Sequence, residues 1–265
     1  MKASLVICTY NWPEALELVL KSIMVQKEMP EEVIIADDGS KEETKNLIES
    51  FKSKLSIPLH HVWQEDKGWR KSIILNKAIA NARGEYIIQI DGDCILHSSF
   101  VKDHLRYARK GVYLSGSRVN IQESFLVTLF EKQKISFNFL SRGIKKRGRA
   151  LHLPLLSKFY KEKDGFNRKN RGCNTSFHRD DFIAVNGYND DFFGWGREDS
   201  ELGRRFHNYG LKNRKLKNIA IVYHIYHYVK PKDGLDKNHQ LEMEAKNNKT
   251  VWCDNGINKY LNETI

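Results

Sequence analysis

Four short apolar runs separated by helical stretches in the first hundred residues restrict this chain more than any other feature. Residues 4–9, 32–36, 59–63 and 86–90 have strand composition. Between them, residues 14–24 place Ala15, Leu16, Val19, Leu20 and Ile23 at helical spacing, and 41–53 and 72–82 read as two further helices. Strands alternating with helices of this length predict a mostly parallel, Rossmann-like α/β sheet with helices on both faces. The run Tyr86-Ile87-Ile88-Gln89-Ile90 is almost wholly apolar, as a strand buried on both sides should be.

The second half is less regular. Residues 112–121 predict a pair of strands, 124–140 a partly amphipathic helix, 182–187 a short apolar run, 219–229 a strand, and 238–247 a helix in a polar tail. No internal repeat is present. A chain of 265 residues with 40% apolar and 11% aromatic content supports a sizeable core, as one large or two small domains. Cys8, Cys94, Cys173 and Cys253 are scattered without a C-x-x-C pair, so neither a zinc site nor a disulfide framework is expected. The start of the chain runs from Met1-Lys2 straight into a five-residue apolar run that is too short for a signal core or a membrane span, and the expected location is cytoplasmic.

The net charge of +11 is concentrated in one place. Between Lys132 and Arg171 lie thirteen Lys/Arg residues, opposed only by Glu162 and Asp164. Within that block, 141–172 lacks periodicity, contains Gly143, Gly148 and Gly165, and reads as a mobile loop facing an anionic partner: a phosphate, an acidic polymer or a membrane surface.

Chemistry-bearing residues collect after the strands. Residues 194–202 read Gly-Trp-Gly-Arg-Glu-Asp-Ser-Glu-Leu, and Leu202, Phe206 and Tyr209 continue them at helical spacing. Taken alone, Glu198-Asp199 reads as a helix start whose acids offset the macrodipole. The Gly-Trp-Gly turn adds an indole beside those acids, which capping does not require and which suits a sugar with an ionisable hydroxyl. Asp91-Gly92-Asp93 follows the fourth strand, where open parallel sheets bind ligands. Two carboxylates around a glycine can hold a hard divalent cation, or simply make a turn. Asp37-Asp38-Gly39-Ser40 and Thr9-Tyr10-Asn11 end neighbouring strands and would line the same crevice. Lys67 or Arg70, with Asn76 on the next helix, could meet a diphosphate or stay solvated. In Tyr223-His224-Ile225-Tyr226-His227 the two histidines face opposite ways on an ideal strand, so one of them is expected to reach a given metal.

Together these residues resemble family-two glycosyltransferases of the GT-A fold, over most of residues 3–230. Residues 6–11, Asp37-Asp38-Gly39-Ser40, Gly84-Glu85-Tyr86-Ile87 and Asp91-Gly92-Asp93 resemble the nucleotide-sugar half. Gly187-Tyr188 through Gly194-Trp195-Gly196-Arg197-Glu198-Asp199 is similar to the carboxyl-terminal part shared by β1,4-galactosyltransferases, polypeptide N-acetylgalactosaminyltransferases and bacterial chondroitin polymerases. The resemblance implies a donor half at 1–120, an acceptor half at 121–230 and a tail at 231–265. It implies that Asp38 contacts uridine, with Thr9 and Tyr10 lining the pocket and Asp91 near the ribose or metal. Asp93, with His224 or His227, would ligate Mn2+ or Mg2+. Trp195 would stack on sugars, Glu198 would hold acceptor hydroxyls and Asp199 would be the general base.

The implied reaction is inverting transfer from a UDP-sugar to a saccharide or glycolipid acceptor, as in surface polysaccharide synthesis. The basic segment 141–172 matches no motif of that family; it falls where related enzymes close a loop over the site, or it meets an anionic or lipid-linked acceptor at the inner membrane face. The rival class is a basic nucleic-acid-binding or nucleotide-binding protein. It would require aromatics interleaved with the basic run and a binding module, and residues 141–172 offer only Phe159, Tyr160 and Phe166.

Overall fold

A computed structural model describes residues 1–166, 171–228 and 234–262. All four expected strands form and alternate with helices: β1 (Ala3–Thr9), α1 (Pro13–Met24), β2 (Glu32–Asp37), α2 (Glu42–Lys52), β3 (Leu59–Trp63), α3 (Lys71–Ala80) and β4 (Tyr86–Asp91). The chain continues through β5 (Cys94–Leu96), α4 (Phe100–Leu105), β6 (Val112–Ser115), β7 (Ser117–Ile121), α5 (Leu126–Glu131), β8 (Ile144–Lys145) and α6 (Pro154–Ser157). It ends with β9 (Asn174–His178), α7 (Arg179–Ala184), α8 (Glu198–Asn208), β10 (Lys212–Lys215), β11 (Ile221–His224) and α9 (Leu235–Asn247).

The main sheet has the order β10-β6-β9-β4-β1-β2-β3. Alternate residues of its strands feed two cores, as a sheet buried on both faces requires. Leu5, Ile7, Val33, Ile35 and Ile88 pack with Leu16, Val19 and Phe51 of α1 and α2. Val6, Ile34 and Ile87 point the other way, onto Ile74, Leu75 and Ala78 of α3 and Phe206 of α8. In the register of these strands Thr9 lies beside Asp37 and Cys8 beside Asp91, so the polar strand ends share one edge. A smaller sheet, β5-β11-β7-β8, stands beyond that edge and carries His224 and Lys145 on its strands.

Helix α8 is set by its start and by one buried cation. Gly194, Gly196 and Arg197 all have positive φ (80°, 94° and 79°), a sharp turn that glycine takes without strain. The fully buried Arg205 then ties α8 down, donating to Glu201 Oε1 and Oε2 (2.5 and 2.7 Å) and to the carbonyls of Val185 and Gly187 (2.5 and 2.7 Å). Glu198 and Asp199 are thereby held at a fixed place against the sheet.

Several expectations for the second half are corrected. Residues 124–140 are not one helix: a 3-10 turn (Glu123–Phe125) leads into the short α5, and Gln133 takes φ 46°. The break lets Phe137 turn inward onto Tyr223 under the smaller sheet. The strands within 112–121 form, but they part at Gly116 into different sheets. Residues 182–187 are the end of α7 and the turn after it. Strand β11 covers only Ile221–His224 of the expected 219–229, and Val229 lies outside the described residues. Helix α9 begins at Leu235, before the expected Asn238.

The described part of 141–172 is not a bare loop. It contains β8, a 3-10 turn (Arg147–Ala150) and α6, and Lys163 pairs with Asn213 on β10. The antiparallel strand β9 was not expected at all. Its residues are Asn, Thr, Ser, Phe and His, every one buried; Phe177 packs on Phe182 and Phe206, and hydrogen bonds hold the polar positions. Asn174 donates to the carbonyls of Ser117 and Ala220, and the Ser176 hydroxyl pairs with Tyr86 and His104.

Candidate active site

A cavity of about 1400 Å3 lies at the carboxyl edge of the main sheet, between it and the smaller sheet. Thr9, Tyr10, Asn11, Asp38, Asp91, Asp93, Trp195, Glu198, Asp199, His224 and His227 all line it. Residues up to 218 positions apart in sequence, from Thr9 to His227, thus meet in one space, which is large enough for two ligands of ordinary size.

On the β2 side the two adjacent aspartates divide their work. Asp37 is fully buried, accepting from the Ser40 amide (2.8 Å) and pairing with His61 Nε2 (2.9 Å). Asp38 faces the cavity with its carboxylate oriented by Gln64 Nε2 (2.6 Å) and the Arg70 amide (2.9 Å). Burial pushes the Asp38 carboxyl above its ordinary range. The Asn11 amide donates to Ser40 Oγ (2.8 Å), and Tyr10 donates to Asp66 Oδ2 (2.8 Å), which closes that end of the cavity.

Asp93 meets both histidines, contrary to the expectation that one alone could reach. Its Oδ2 lies 3.5 Å from His224 Nε2 and 3.4 Å from His227 Nε2. The reason is that β11 stops at His224, so alternation no longer governs His227. His227 Nδ1 sits 2.9 Å from the Tyr228 carbonyl, to which it donates, and Nε2 is the nitrogen that faces Asp93. Burial lowers the His224 pKa, which favours the neutral ligating form. The three ligand atoms lie within 4.8 Å of one another. An Asp-His-His set of this kind fits a divalent cation, and its two imidazoles suit manganese better than magnesium.

Elsewhere in the lining of the cavity, both oxygens of Asp199 are held. Oδ2 accepts from the Gly172 amide (2.7 Å) and Oδ1 from the Tyr188 hydroxyl (3.4 Å). A Cβ at residue 172 would collide with that carboxylate, so only glycine allows this approach. Gln89 links the two donors, giving a hydrogen bond to the Gly172 carbonyl (3.2 Å) and another to Tyr188 (2.9 Å). Burial raises the Asp199 pKa against the opposing pull of Lys71. Burial, then the charge of Asp199, push Glu198 up to about 7.

Lys71 is the residue that sequence reasoning missed. It is the first residue of α3, nearly buried, with Nζ 2.8 Å from Asp91 Oδ1 and 3.9 Å from Glu198 Oε1. Burial pulls its pKa down, but Asp91, Asp199 and Glu198 raise it well above its ordinary value. The cations named from sequence do not line the cavity. Lys67 is exposed and paired with Glu65 (2.7 Å), and the Arg70 guanidinium donates to the Glu65 carbonyl. Asn76 is buried behind the site, donating to the Tyr188 carbonyl (2.7 Å) and Asp190 Oδ1 (2.8 Å). Position at a strand–helix junction was the available signal for Lys71, since α3 opens on the ligand edge. Arg118, Lys145, Phe166, Arg171, Tyr226 and Tyr228 also line the cavity and carried no motif that singled them out.

Comparison with known proteins shows the family and the fold. The family model for glycosyl transferase family 2 matches residues 4–169, and that for the N-terminal domain of galactosyltransferase matches residues 155–228. Chondroitin synthase of Escherichia coli is 27% identical over 239 residues, covering 83% of this chain and 34% of that protein. Validoxylamine A glucosyltransferase of Streptomyces hygroscopicus subsp. limoneus is 28% identical over 223 residues, 78% of this chain and 48% of that protein. The chain therefore spans less than half the length of these two relatives. Among solved structures, S. aureus TarS 1-349 superposes with a TM-score of 0.64 at 15% identity, covering 98% of this chain and 68% of that one. GalNAc-T7 with UDP, GalNAc and Mn2+ gives 0.61 at 17% identity, covering 85% and 44%. These two likenesses show the GT-A fold. With the first family model matching well over half of its residues, the chain belongs to glycosyl transferase family 2.

Proposed function

We propose that this chain is an inverting, metal-dependent transferase that moves a hexose or N-acetylhexosamine from a UDP-sugar to a saccharide or lipid-linked acceptor in surface polysaccharide synthesis. The observation that carries the reading is that two groups line one cavity. Asp93, His224 and His227 form the first, and Glu198 and Asp199 the second. Residues 1–120 supply the donor half and 121–230 the acceptor half, and Leu235, His239 and Glu242 of α9 in the tail also line the cavity.

In this reading Asp38 accepts from the uracil, Thr9, Tyr10 and Asn11 frame the nucleoside, and Asp91 faces the ribose. A bound Mn2+ or Mg2+ supplies Lewis-acid stabilisation of the charge that develops on the leaving diphosphate. Trp195 stacks on a sugar ring and Glu198 holds acceptor hydroxyls. Asp199 keeps lone pairs beyond those given to Gly172 and Tyr188, and takes the proton of the attacking hydroxyl. Attack on the face opposite the leaving group inverts the anomeric centre. Lys71 replaces Lys67 and Arg70 as the cation at the reacting edge. Arg118, Lys145 and Arg171 on the cavity wall suit an anionic acceptor in the cytoplasm, or one presented at the inner face of a membrane. The carboxylates Asp38, Asp66, Asp91, Asp93, Glu198 and Asp199 in the same cavity speak against a polynucleotide.

A panel of UDP-sugars, with Mn2+ and with a chelator, tests the reading: one donor is expected to release UDP in a metal-dependent way. Release from none, with or without added saccharide acceptors, overturns it. Lys71 gives a separate expectation. Its charge lowers the pKa of both Glu198 and Asp199, and the base must be ionised to act. Activity is therefore lost as pH falls through a raised carboxyl pKa. In Lys71→Met that acid limb is expected to move to higher pH, while Lys71→Arg keeps it near the wild-type position. A pH–rate profile that stays put in Lys71→Met would show that Lys71 does not tune the acids.

A further inference from the structure

We propose that residues 153–161 form a surface that docks this chain on an anionic lipid bilayer. Their burial runs opposite to that of a normal folded segment. Ser157 is buried at 2% exposure, whereas Leu155, Leu156 and Phe159 are 74%, 49% and 79% exposed. Leu153 and Tyr160 are exposed as well. Isolated exposed apolar residues need no explanation, but five large ones within eight positions mark an interaction surface.

The backbone keeps these side chains outward. The Leu153 amide donates to the Asn218 carbonyl (2.8 Å), and the Ser157 hydroxyl donates to the Pro154 carbonyl (2.7 Å) and lies 2.7 Å from the Tyr107 hydroxyl. The segment is thus fastened to the fold through its one buried polar residue, Ser157, and the Leu153 amide.

The surrounding charge selects the partner. Lys158, Lys161 and Lys163 are exposed on the same stretch, and Lys217 lies 4.9 Å over the Tyr160 ring. Of the two acids nearby, Glu162 is drawn inward to Arg109 and Arg214, and Asp164 lies 3.7 Å from Lys212. Just upstream, Lys145, Lys146, Arg147 and Arg149 are exposed too. Leucine and phenylalanine side chains gain from the acyl boundary and lysines from anionic headgroups, so a bilayer surface satisfies both. A hydrated acidic polysaccharide satisfies only the lysines. Among the described residues no helix is long and apolar enough to cross a membrane.

The surface is joined to the cavity at both ends. Lys145 precedes it, Phe166 follows it, and both line the cavity wall. Docking rests on the surface alone. That docking delivers a lipid-linked acceptor to the cavity depends further on the transferase reading.

The test uses the full chain without substrate, in sedimentation with vesicles of phosphatidylcholine or of phosphatidylcholine with about 30% phosphatidylglycerol. The wild type is expected to sediment with the anionic vesicles only, and to be released by high salt. The triple variant Leu155→Ser/Leu156→Ser/Phe159→Ser is expected to lose affinity by about tenfold or more. Lys158→Glu/Lys161→Glu should weaken binding in the same direction. An unchanged melting temperature and unchanged UDP affinity confirm that the variants fold, because the substituted side chains are already exposed. The proposal is overturned if the wild type stays in solution with anionic vesicles at low salt, or if the serine variant sediments like the wild type. Retention on an immobilised acidic polysaccharide without vesicle binding overturns it in favour of a polyanion. A dimer abolished by the serine variant, without vesicle binding, overturns it in favour of self-association. Since no substrate is present, failure of this test leaves the transferase reading intact, and failure of the UDP-sugar panel leaves this one intact.

Discussion

Asp199→Asn is expected to lower the turnover of sugar transfer by about 10²–10⁴ while leaving UDP affinity unchanged. The substitution keeps the shape of the side chain. Its amide oxygen can still accept from the Gly172 amide, and its NH2 can turn to the Tyr188 hydroxyl, which accepts as readily as it donates. What is lost is the ability to take a proton. In the proposed reading the donor nucleotide binds around Asp38 and Asp93, so its affinity should not move. Turnover is read from UDP release with acceptor present, and affinity from calorimetry with UDP and metal. Normal turnover would remove Asp199 as the base. A parallel loss of UDP affinity would instead make it a structural residue.

The second large effect concerns the proposed metal site. Chelation, or Asp93→Asn, is expected to weaken UDP binding by at least about 100-fold, because losing a direct ligand costs more than losing the outer-shell partner of one. In the proposed site Asp93 contributes the one carboxylate of the cluster, and the two groups that face it are the imidazoles of His224 and His227. Added Mn2+ should restore the wild type after chelation and should not restore Asp93→Asn. Equal UDP affinity with and without chelator would contradict the metal site. Substituting His224 and His227 in turn then reports whether both ligate, as their shared approach to Asp93 implies.

The elements legible in sequence were those whose burial shows as an apolar pattern. β1, β2 and β4 are buried strands of this kind, and their ends carry Thr9, Asp38 and Asp91–Asp93 to one edge by parallel register alone. The turn at 194–197 was legible for a similar reason, since two glycines around a tryptophan announce an unusual backbone. What escaped was structure held by polar contacts. β9 is buried through Asn174, Thr175 and Ser176, whose hydrogen bonds lie on residues distant in sequence, so no local period marks it. Lys71 looked like one more lysine beside Lys67 and Arg70, and only the packing of α3 shows which cation faces the acids. The histidines were misjudged because composition could not say where β11 stops. The Asn76 amide suits a ligand as well as it suits the buried Tyr188 backbone, and only the fold separates the two.

Under the proposed reading, a metal-held diphosphate and a base on the other side of the anomeric carbon would leave a single line of approach. The most direct measurement is the proton NMR spectrum of the product formed from an α-linked UDP-sugar, read at the coupling of the new anomeric proton. A β-linkage, lost together with activity in Asp199→Asn, is the predicted result. An α-linkage would mean retention, and would contradict the placement of Asp199 as a base opposite the leaving group.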